Sequence, residues 1–278
     1  MPAPTPVRLW ILGADGLAAA PSSGGDSLDA VSLGLPAGIY TTMRTYGGDR
    51  VVGLAAHLDR FGHSFDVLGT VHRLDSAGLR RAIGEAIRLA GFAETRLRLT
   101  VPIEGEKVFL ACERFDGYPD GFYRDGVCCV TTSLPRPTPL AKTTAFIQPS
   151  RAARAQLPPG IHEAIRIDSA GQLLEGLSSN AFVVLGGVLR TASEGVLEGV
   201  TRGIVLAAAT DLLPVELRPA RLADLPAASE AFITSSTREV VPVVAIDGRR
   251  IGHGRPGAVT GALLARYRDH LAHAAERP

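Results

Sequence analysis

Apolar and polar positions alternate along 96–101: Leu97, Leu99 and Val101 point one way, and Arg96, Arg98 and Thr100 the other. A period of two places the two sets on opposite faces of a strand. The turn at 104–106 then leads into a partner strand over 108–112. Strands are also expected at 7–12 and at 38–46, the latter rich in β-branched and aromatic residues. The stretch 18–29, rich in Gly, Ser, Ala and Pro, is expected to be a loop. After it the period changes. Leu58, Phe61, Phe65 and Leu68 share one face of a helix over 55–69. A second helix is expected from Asp75, a suitable N-cap, to just before Gly91, with Leu79, Ile83 and Ile87 as its buried stripe.

A strand at 127–132 runs into Ser-Leu-Pro-Arg-Pro-Thr-Pro at 133–139. Three prolines in five residues predict a stiff, extended connector. The division is therefore a small α/β domain at 1–132, the connector at 133–139 and a larger domain at 140–278. In the second half, strands are expected at 164–167 and 231–234. Two hairpins are expected, 181–185 with 188–191 across Gly186-Gly187, and 243–246 with 249–251 across Asp247-Gly248. Helices are expected at 201–213, ended by Pro214, and at 259–274. This mixture predicts the α/β class, as an α+β chain of two domains.

Composition narrows the picture. A length of 278 residues suits two domains, and 46% hydrophobic with 21% charged residues is an ordinary globular balance. The net charge of +1, with no basic cluster, argues against nucleic acid or an anionic membrane as partner. No apolar run approaches the roughly 18 residues that a span requires, and 1–12 lacks the pattern of a signal peptide. Cys112, Cys128 and Cys129 are odd in number and lack metal spacing, so neither a disulfide framework nor a metal is expected. A reducing, cytoplasmic setting fits.

Three features could carry chemistry. Lys142 has no acidic residue within ten positions on either side. Such a lysine can be desolvated and deprotonated, as a nucleophilic amine must be; it reads equally as a solvated surface lysine. Glu175-Gly176-Leu177-Ser178-Ser179-Asn180 follows thirty-three residues later. Its carboxylate could hold a pyridine nitrogen protonated, or could simply lie on the surface. Gly199-Val200-Thr201-Arg202 opens the helix at 201–213, and a helix start can cradle a phosphate, although an ordinary Thr N-cap has the same sequence. Thr234-Ser235-Ser236-Thr237 could add hydroxyl donors, and Arg60 could complete the charge balance. In this order and spacing they suggest a pyridoxal-phosphate site.

The constellation resembles the class IV aminotransferases, the fold-type IV pyridoxal-phosphate enzymes. The stretches that carry the resemblance are 38–44, His57-Leu58-Asp59-Arg60, Lys142, 175–180, 197–202 and 234–242 with Asp247-Gly248. The resemblance implies that Lys142 holds the cofactor aldehyde as a Schiff base and that Glu175 faces the ring nitrogen. Arg60, Val200, Thr201, Ser236 and Ser235 match phosphate ligands, and Leu197 matches the residue packed on the ring. Tyr40 matches a pocket tyrosine. Arg44, Arg96, Arg98, Thr237 and Arg238 are the other candidates for binding substrate. Amino donors and 2-keto acids are the implied partners. A homodimer is implied, with the site between the domains, a smaller α/β domain and a larger one around a barrel-like sheet.

Two departures bear on substrate. Branched-chain enzymes carry a tyrosine five positions after the lysine, where this chain has Ile147. The D-amino-acid type carries an arginine after its third strand, where this chain has Thr100-Val101-Pro102. The expectation is transamination favouring D-amino acids or (R)-amines. The alternatives are lyase chemistry of the 4-amino-4-deoxychorismate type, which Tyr40-Thr41-Thr42 resembles, and transamination of branched-chain L-amino acids.

Overall fold

Every second residue of the strand Gly38–Tyr46 is buried, and this alternation sets the first sheet. The computed structural model describes residues 6–20, 25–70 and 75–278. Its contacts divide the chain into two compact units. The first comprises Met1–Gly117, Ala141–Pro149 and Ala274–Pro278; the second comprises Tyr118–Leu140 and Ser150–His273. The proline-rich segment 133–139 thus falls in the second unit, and Lys142 in the first.

The first unit holds a seven-stranded sheet. Its order is Ala275–Glu276, Arg50–Val52, Gly38–Tyr46, Thr95–Pro102, Val108–Arg114, Arg8–Gly13 and Gly16–Ala19. Gly38–Tyr46 and Thr95–Pro102 are antiparallel with Tyr40 opposite Thr100, Thr42 opposite Arg98 and Arg44 opposite Arg96. Helices Leu54–Val67 and Ser76–Ala90 cover one face. Leu58, Phe61 and Phe65 of one helix and Leu79, Ile83 and Ile87 of the other join Leu97, Leu99 and Val101 in one core. Each such side chain contributes about 1.5–3 kcal/mol on full burial. Asp75 takes the N-cap position as expected, yet its side chain makes no cap hydrogen bond.

The expected loop at 18–29 is entered by a short strand at one end and a short helix at the other, with irregular backbone at residues 20 and 25–27. Gly16–Ala19 pairs with Arg8–Gly13, with Trp10 opposite Ala19. Ser27 caps a short helix, Leu28–Leu33, by accepting from Ala30 N at 3.3 Å. Residues 21–24 of that stretch lie outside the described residues. The two elements at its ends are four and six residues long, too short for either period to show.

The second unit is built on a closed ring of strands. The order is Asn180–Leu185, Ala228–Ser235, Glu239–Ile246, Val127–Thr132, Ile161–Ile167 and Leu173–Gly176, which returns to Asn180–Leu185 through Asn180 opposite Glu175. The run 175–180 is thus the corner that closes the barrel. Val127–Thr132 is parallel to both neighbours. Both expected hairpins form. Gly186 and Gly187 have φ of 60° and 77°, and Asp247 and Gly248 have 50° and 73°, the two left-handed positions that a tight two-residue turn requires. The helix expected at 201–213 spans Val200–Ala209, so it ends well before Pro214. No helix among the described residues is long and apolar enough to cross a membrane.

Candidate active site

In the first unit the segment bearing Lys142 lies against the start of Gly38–Tyr46. Tyr40 N donates to Lys142 O at 2.9 Å, Gly38 N donates to Thr144 Oγ1 at 2.9 Å, and Ile39 bridges Thr143. Gly38 is required here, because a Cβ would stand 2.4 Å from Val101 O. Lys142 is half-buried, and its Nζ lies 4.8 Å from the centre of the Tyr40 ring, a cation–π distance.

Arg60 lies on the helix Leu54–Val67, one turn after His57. Arg60 Nη2 donates to Thr41 Oγ1 at 2.9 Å, and Thr41 Oγ1 is 2.7 Å from His57 Nδ1. A hydroxyl has one proton. It also has two acceptor positions, so Thr41 could serve Arg60 and His57 in either direction; Arg60 Nη2, which can only donate, lies 3.4 Å from His57 Nδ1, which makes Nδ1 the acceptor and leaves the imidazole proton on Nε2. That Nε2 is buried without a hydrogen-bond partner among the described residues. The His57 pKa is held well below the ordinary histidine value, first by burial, then by the charges of Arg60 and Lys142.

The arginines considered for substrate differ in their surroundings. Arg98, 7% exposed, donates to Thr42 Oγ1 (3.0 Å), Leu28 O (3.2 Å), Ser32 Oγ (2.9 Å) and Asp29 Oδ1 (2.8 Å). Its guanidinium carbon also lies 4.6 Å from the Tyr40 ring centre. Arg96 pairs with Glu113 at 2.8 Å. Arg44 lies over Tyr46 at 4.0 Å and over Phe115 at 4.8 Å. Ile147 is buried at the start of the helix Ile147–Ala155.

In the second unit Glu175, 2% exposed, is held on three sides. Arg136 Nη1 donates to Oε1 at 2.7 Å, Arg166 Nη1 donates to Oε1 at 3.1 Å, and Leu197 N donates to Oε2 at 2.9 Å. A carboxylate offers about four acceptor positions, so Oε2 keeps room for one more donor. Burial pushes the Arg166 pKa down, against the pull of Glu175. Sequence reasoning missed both arginines. The available signal was a basic residue amid three prolines (Arg136) and another inside an apolar strand (Arg166).

Leu197 is fixed from two sides, by Glu175 through its N–H and by Asn180 Nδ2, which donates to Leu197 O at 2.7 Å. The helix Val200–Ala209 then begins at Gly199 with no side-chain cap, while Val200 and Thr201 are 9% and 2% exposed. A buried helix start with uncapped N–H groups fits an anion. Gly199 packs on Asn180, because a Cβ there would meet Asn180 Oδ1 at 2.1 Å. Ser235, Ser236 and Thr237 are half-buried in the turn after Ala228–Ser235, and Thr234 Oγ1 is buried without a partner among the described residues. Arg238 pairs with Glu163 at 3.0 Å. No group of acidic, His and Cys residues that could hold a metal occurs among the described residues.

One unit therefore carries a half-buried amine and an arginine held by Thr41. The other carries a carboxylate braced by two arginines and a buried helix start suited to an anion. Residues 38–246 match the family model described as amino-transferase class IV. A branched-chain-amino-acid aminotransferase of Pseudomonas aeruginosa is 27% identical over 256 residues, 84% of this chain and 83% of that protein. Among solved structures, the branched-chain aminotransferase of the thermophilic archaeon Thermoproteus uzoniensis with norvaline has a TM-score of 0.78 at 26% identity, covering 97% of this chain and 98% of that one. A T.th. branched-chain amino acid aminotransferase with pyridoxamine 5'-phosphate has a TM-score of 0.78 at 26% identity, covering 95% of this chain and 93% of that one.

Proposed function

The chain belongs to the class IV aminotransferases, and from that premise we propose that it transfers amino groups from branched-chain L-amino acids to 2-oxoglutarate. Its cofactor is pyridoxal 5'-phosphate. The observation that carries the mechanistic part is the Glu175 carboxylate, buried, braced by Arg136, Arg166 and Leu197 N, with acceptor capacity left on Oε2. Bound cofactor supplies an aldehyde that carries the amino group and a protonated ring that draws electrons from the reacting carbon.

The residues have distinct tasks. Lys142 Nζ would hold the cofactor and carry the proton removed from the substrate Cα, first as base and then as acid. Glu175 Oε2 would accept from the ring N–H, and its two arginines hold that carboxylate in a fixed direction. The N–H groups of Val200 and Thr201, with the hydroxyls of Thr201, Ser235 and Ser236 and the guanidinium of Arg60, would hold the phosphate. Leu197 would pack on the ring. Thr41 and His57 orient Arg60 for this task.

The choice of substrate reverses the expectation of D-amino acids or (R)-amines. Relatives matching most of the chain are named for branched-chain substrates, and that supports the branched-chain alternative. Ile147 in place of the family tyrosine removes one phenol, yet leaves the lysine, the carboxylate and the phosphate cradle in place. Donor carboxylate binding by Tyr40, Arg44 or Arg96 belongs to the proposal, as do a homodimer and a cytoplasmic location, which the three free cysteines suit. Initial rates with L-leucine, D-alanine and (R)-1-phenylethylamine against 2-oxoglutarate and pyruvate decide the donor. L-leucine is expected to be best; a faster D-alanine would overturn the substrate assignment. Pyruvate release from aminodeoxychorismate without an acceptor would point to the lyase instead.

A further inference from the structure

Arg238 occupies the turn between the strands Ala228–Ser235 and Glu239–Ile246. Its N–H donates to Ser235 O at 3.2 Å and closes the turn, and the strands pair from Ser235 opposite Glu239. Glu239 has a φ of 60°, a left-handed conformation that side chains avoid. Two arginines hold this turn in place. Arg268 Nε donates to Glu239 Oε2 at 2.8 Å. Arg238 folds back the other way, onto the corner 175–180.

Arg238 Nη2 lies 3.0 Å from Glu163 Oε2, 3.0 Å from Ser178 O and 2.8 Å from Ser178 Oγ, while Nε donates to Ser235 Oγ at 3.1 Å. Glu163 is fully buried. Its Oε2 also accepts from Ser178 Oγ at 2.9 Å and Ser179 Oγ at 3.0 Å, and its Oε1 accepts from Ala164 N at 3.2 Å. Space around this carboxylate is closed: a Cβ on Gly176 would meet Ser179 Oγ at 2.2 Å and Glu163 Cγ at 2.9 Å. A carboxylate removed from water needs a cation beside it, and Arg238 provides one. A guanidinium is planar with its donors at fixed angles. Its position therefore fixes the turn that carries Ser235 and Ser236 relative to the corner that carries Glu175 and Asn180.

The geometry points to Arg238 as a positioning residue, which locks the hydroxyl turn to the Glu175 corner through buried Glu163 and does not bind the substrate carboxylate. This rests on the proposed function, in which Ser235 and Ser236 hold the cofactor phosphate and Glu175 its ring. When the clamp is removed, the two ends of the cofactor lose their fixed separation. Cofactor affinity should then fall while substrate affinity is spared.

The test compares wild type with Arg238→Ala, Arg238→Lys, Glu163→Gln and the double variant Arg238→Ala/Glu163→Gln. The readouts are the pyridoxal-phosphate dissociation constant by absorbance titration, KM and kcat with saturating cofactor, and the thermal midpoint of the apo protein. Arg238→Ala should raise the cofactor dissociation constant about tenfold or more, with KM for 2-oxoglutarate within about twofold. Glu163→Gln in that background should recover part of the loss, because the unpaired buried charge is gone. Arg238→Lys, which keeps the charge without the planar fork, should fall between wild type and Arg238→Ala at an unchanged apo midpoint. If Arg238→Ala does not fold, Arg238→Lys decides, and an unchanged cofactor dissociation constant in it overturns the proposal. A rise of about tenfold in KM for both carboxylate substrates with cofactor affinity unchanged overturns it in favour of substrate binding. Failure of wild type to bind pyridoxal phosphate or to transaminate any donor would sink the proposed function itself, before any variant is compared.

Discussion

Arg136 donates to Glu175 at 2.7 Å across thirty-nine residues of chain. Both side chains are nearly closed to solvent, at 8% and 2% exposure. Arg166 reaches the same oxygen. Two cations on one carboxylate fix its direction, and they also draw its charge away from anything else it faces. The ring nitrogen of the cofactor would thus meet a carboxylate that is fixed in direction but partly neutralised.

Removal of Arg136 tests that balance. Arg136→Ala deletes one charge-assisted hydrogen bond worth about 1.5–3 kcal/mol while Arg166 remains. We expect kcat to fall about tenfold to a hundredfold with cofactor still bound. Glu175→Gln should act more strongly, because it takes away the negative charge that two buried arginines share; turnover should drop by several powers of ten and the thermal midpoint should fall. Steady-state rates and melting curves of both variants check this. Near-normal turnover in a folded Glu175→Gln protein would refute the role of Glu175.

The chain has two lysines, Lys107 and Lys142. Lys107 is exposed beside the turn at 104–106, and Lys142 lies against Tyr40. Borohydride reduction of the holoenzyme followed by peptide mapping should therefore place the pyridoxyl group on Lys142 alone. Label on Lys107 with Lys142 unmodified would refute the assignment.

Acid sensitivity follows from His57. A free histidine titrates near about 6.5, and burial with two nearby cations lowers the folded value. The unfolded chain then binds the extra proton first. Stability from this group is complete above about pH 6.5 and is lost as pH falls below it, at up to about 1.4 kcal/mol per unit. His57→Gln, whose amide oxygen can still accept from Thr41, should flatten the decline between about pH 7 and about pH 5.5. Parallel melting curves for variant and wild type across that range would count against a neutral His57.

Arg98 and Arg44 separate structural from substrate roles. Arg98→Ala should destabilise the fold by about 2–3 kcal/mol, since it empties a buried network and takes the guanidinium away from Asp29 and Ser32. Arg44→Ala should leave the melting temperature nearly unchanged and raise KM for the amino donor. Denaturant titration and donor KM for both variants check this; a stable Arg98→Ala protein with a raised KM would exchange the two roles.

Many elements of both units were legible in the residues. The strand Gly38–Tyr46, the helix stripe Leu58, Phe61 and Phe65, and the two glycine-containing hairpins follow from periodicity and turn geometry, which are local properties of the chain. Lys142, Glu175 and Gly199-Val200-Thr201 were visible as residue types in order. Local pattern could not reveal which charges they meet. Arg136 finds Glu175, Arg238 finds Glu163, and Arg98 finds Asp29 only when segments distant in sequence are brought side by side, and Arg166 meets Glu175 across the paired strands Ile161–Ile167 and Leu173–Gly176. Period and propensity act over a few residues; an ion pair acts over a few ångströms of space. The sequence by itself therefore determined the elements and the reactive groups, and tertiary structure decided which arginine braces which carboxylate.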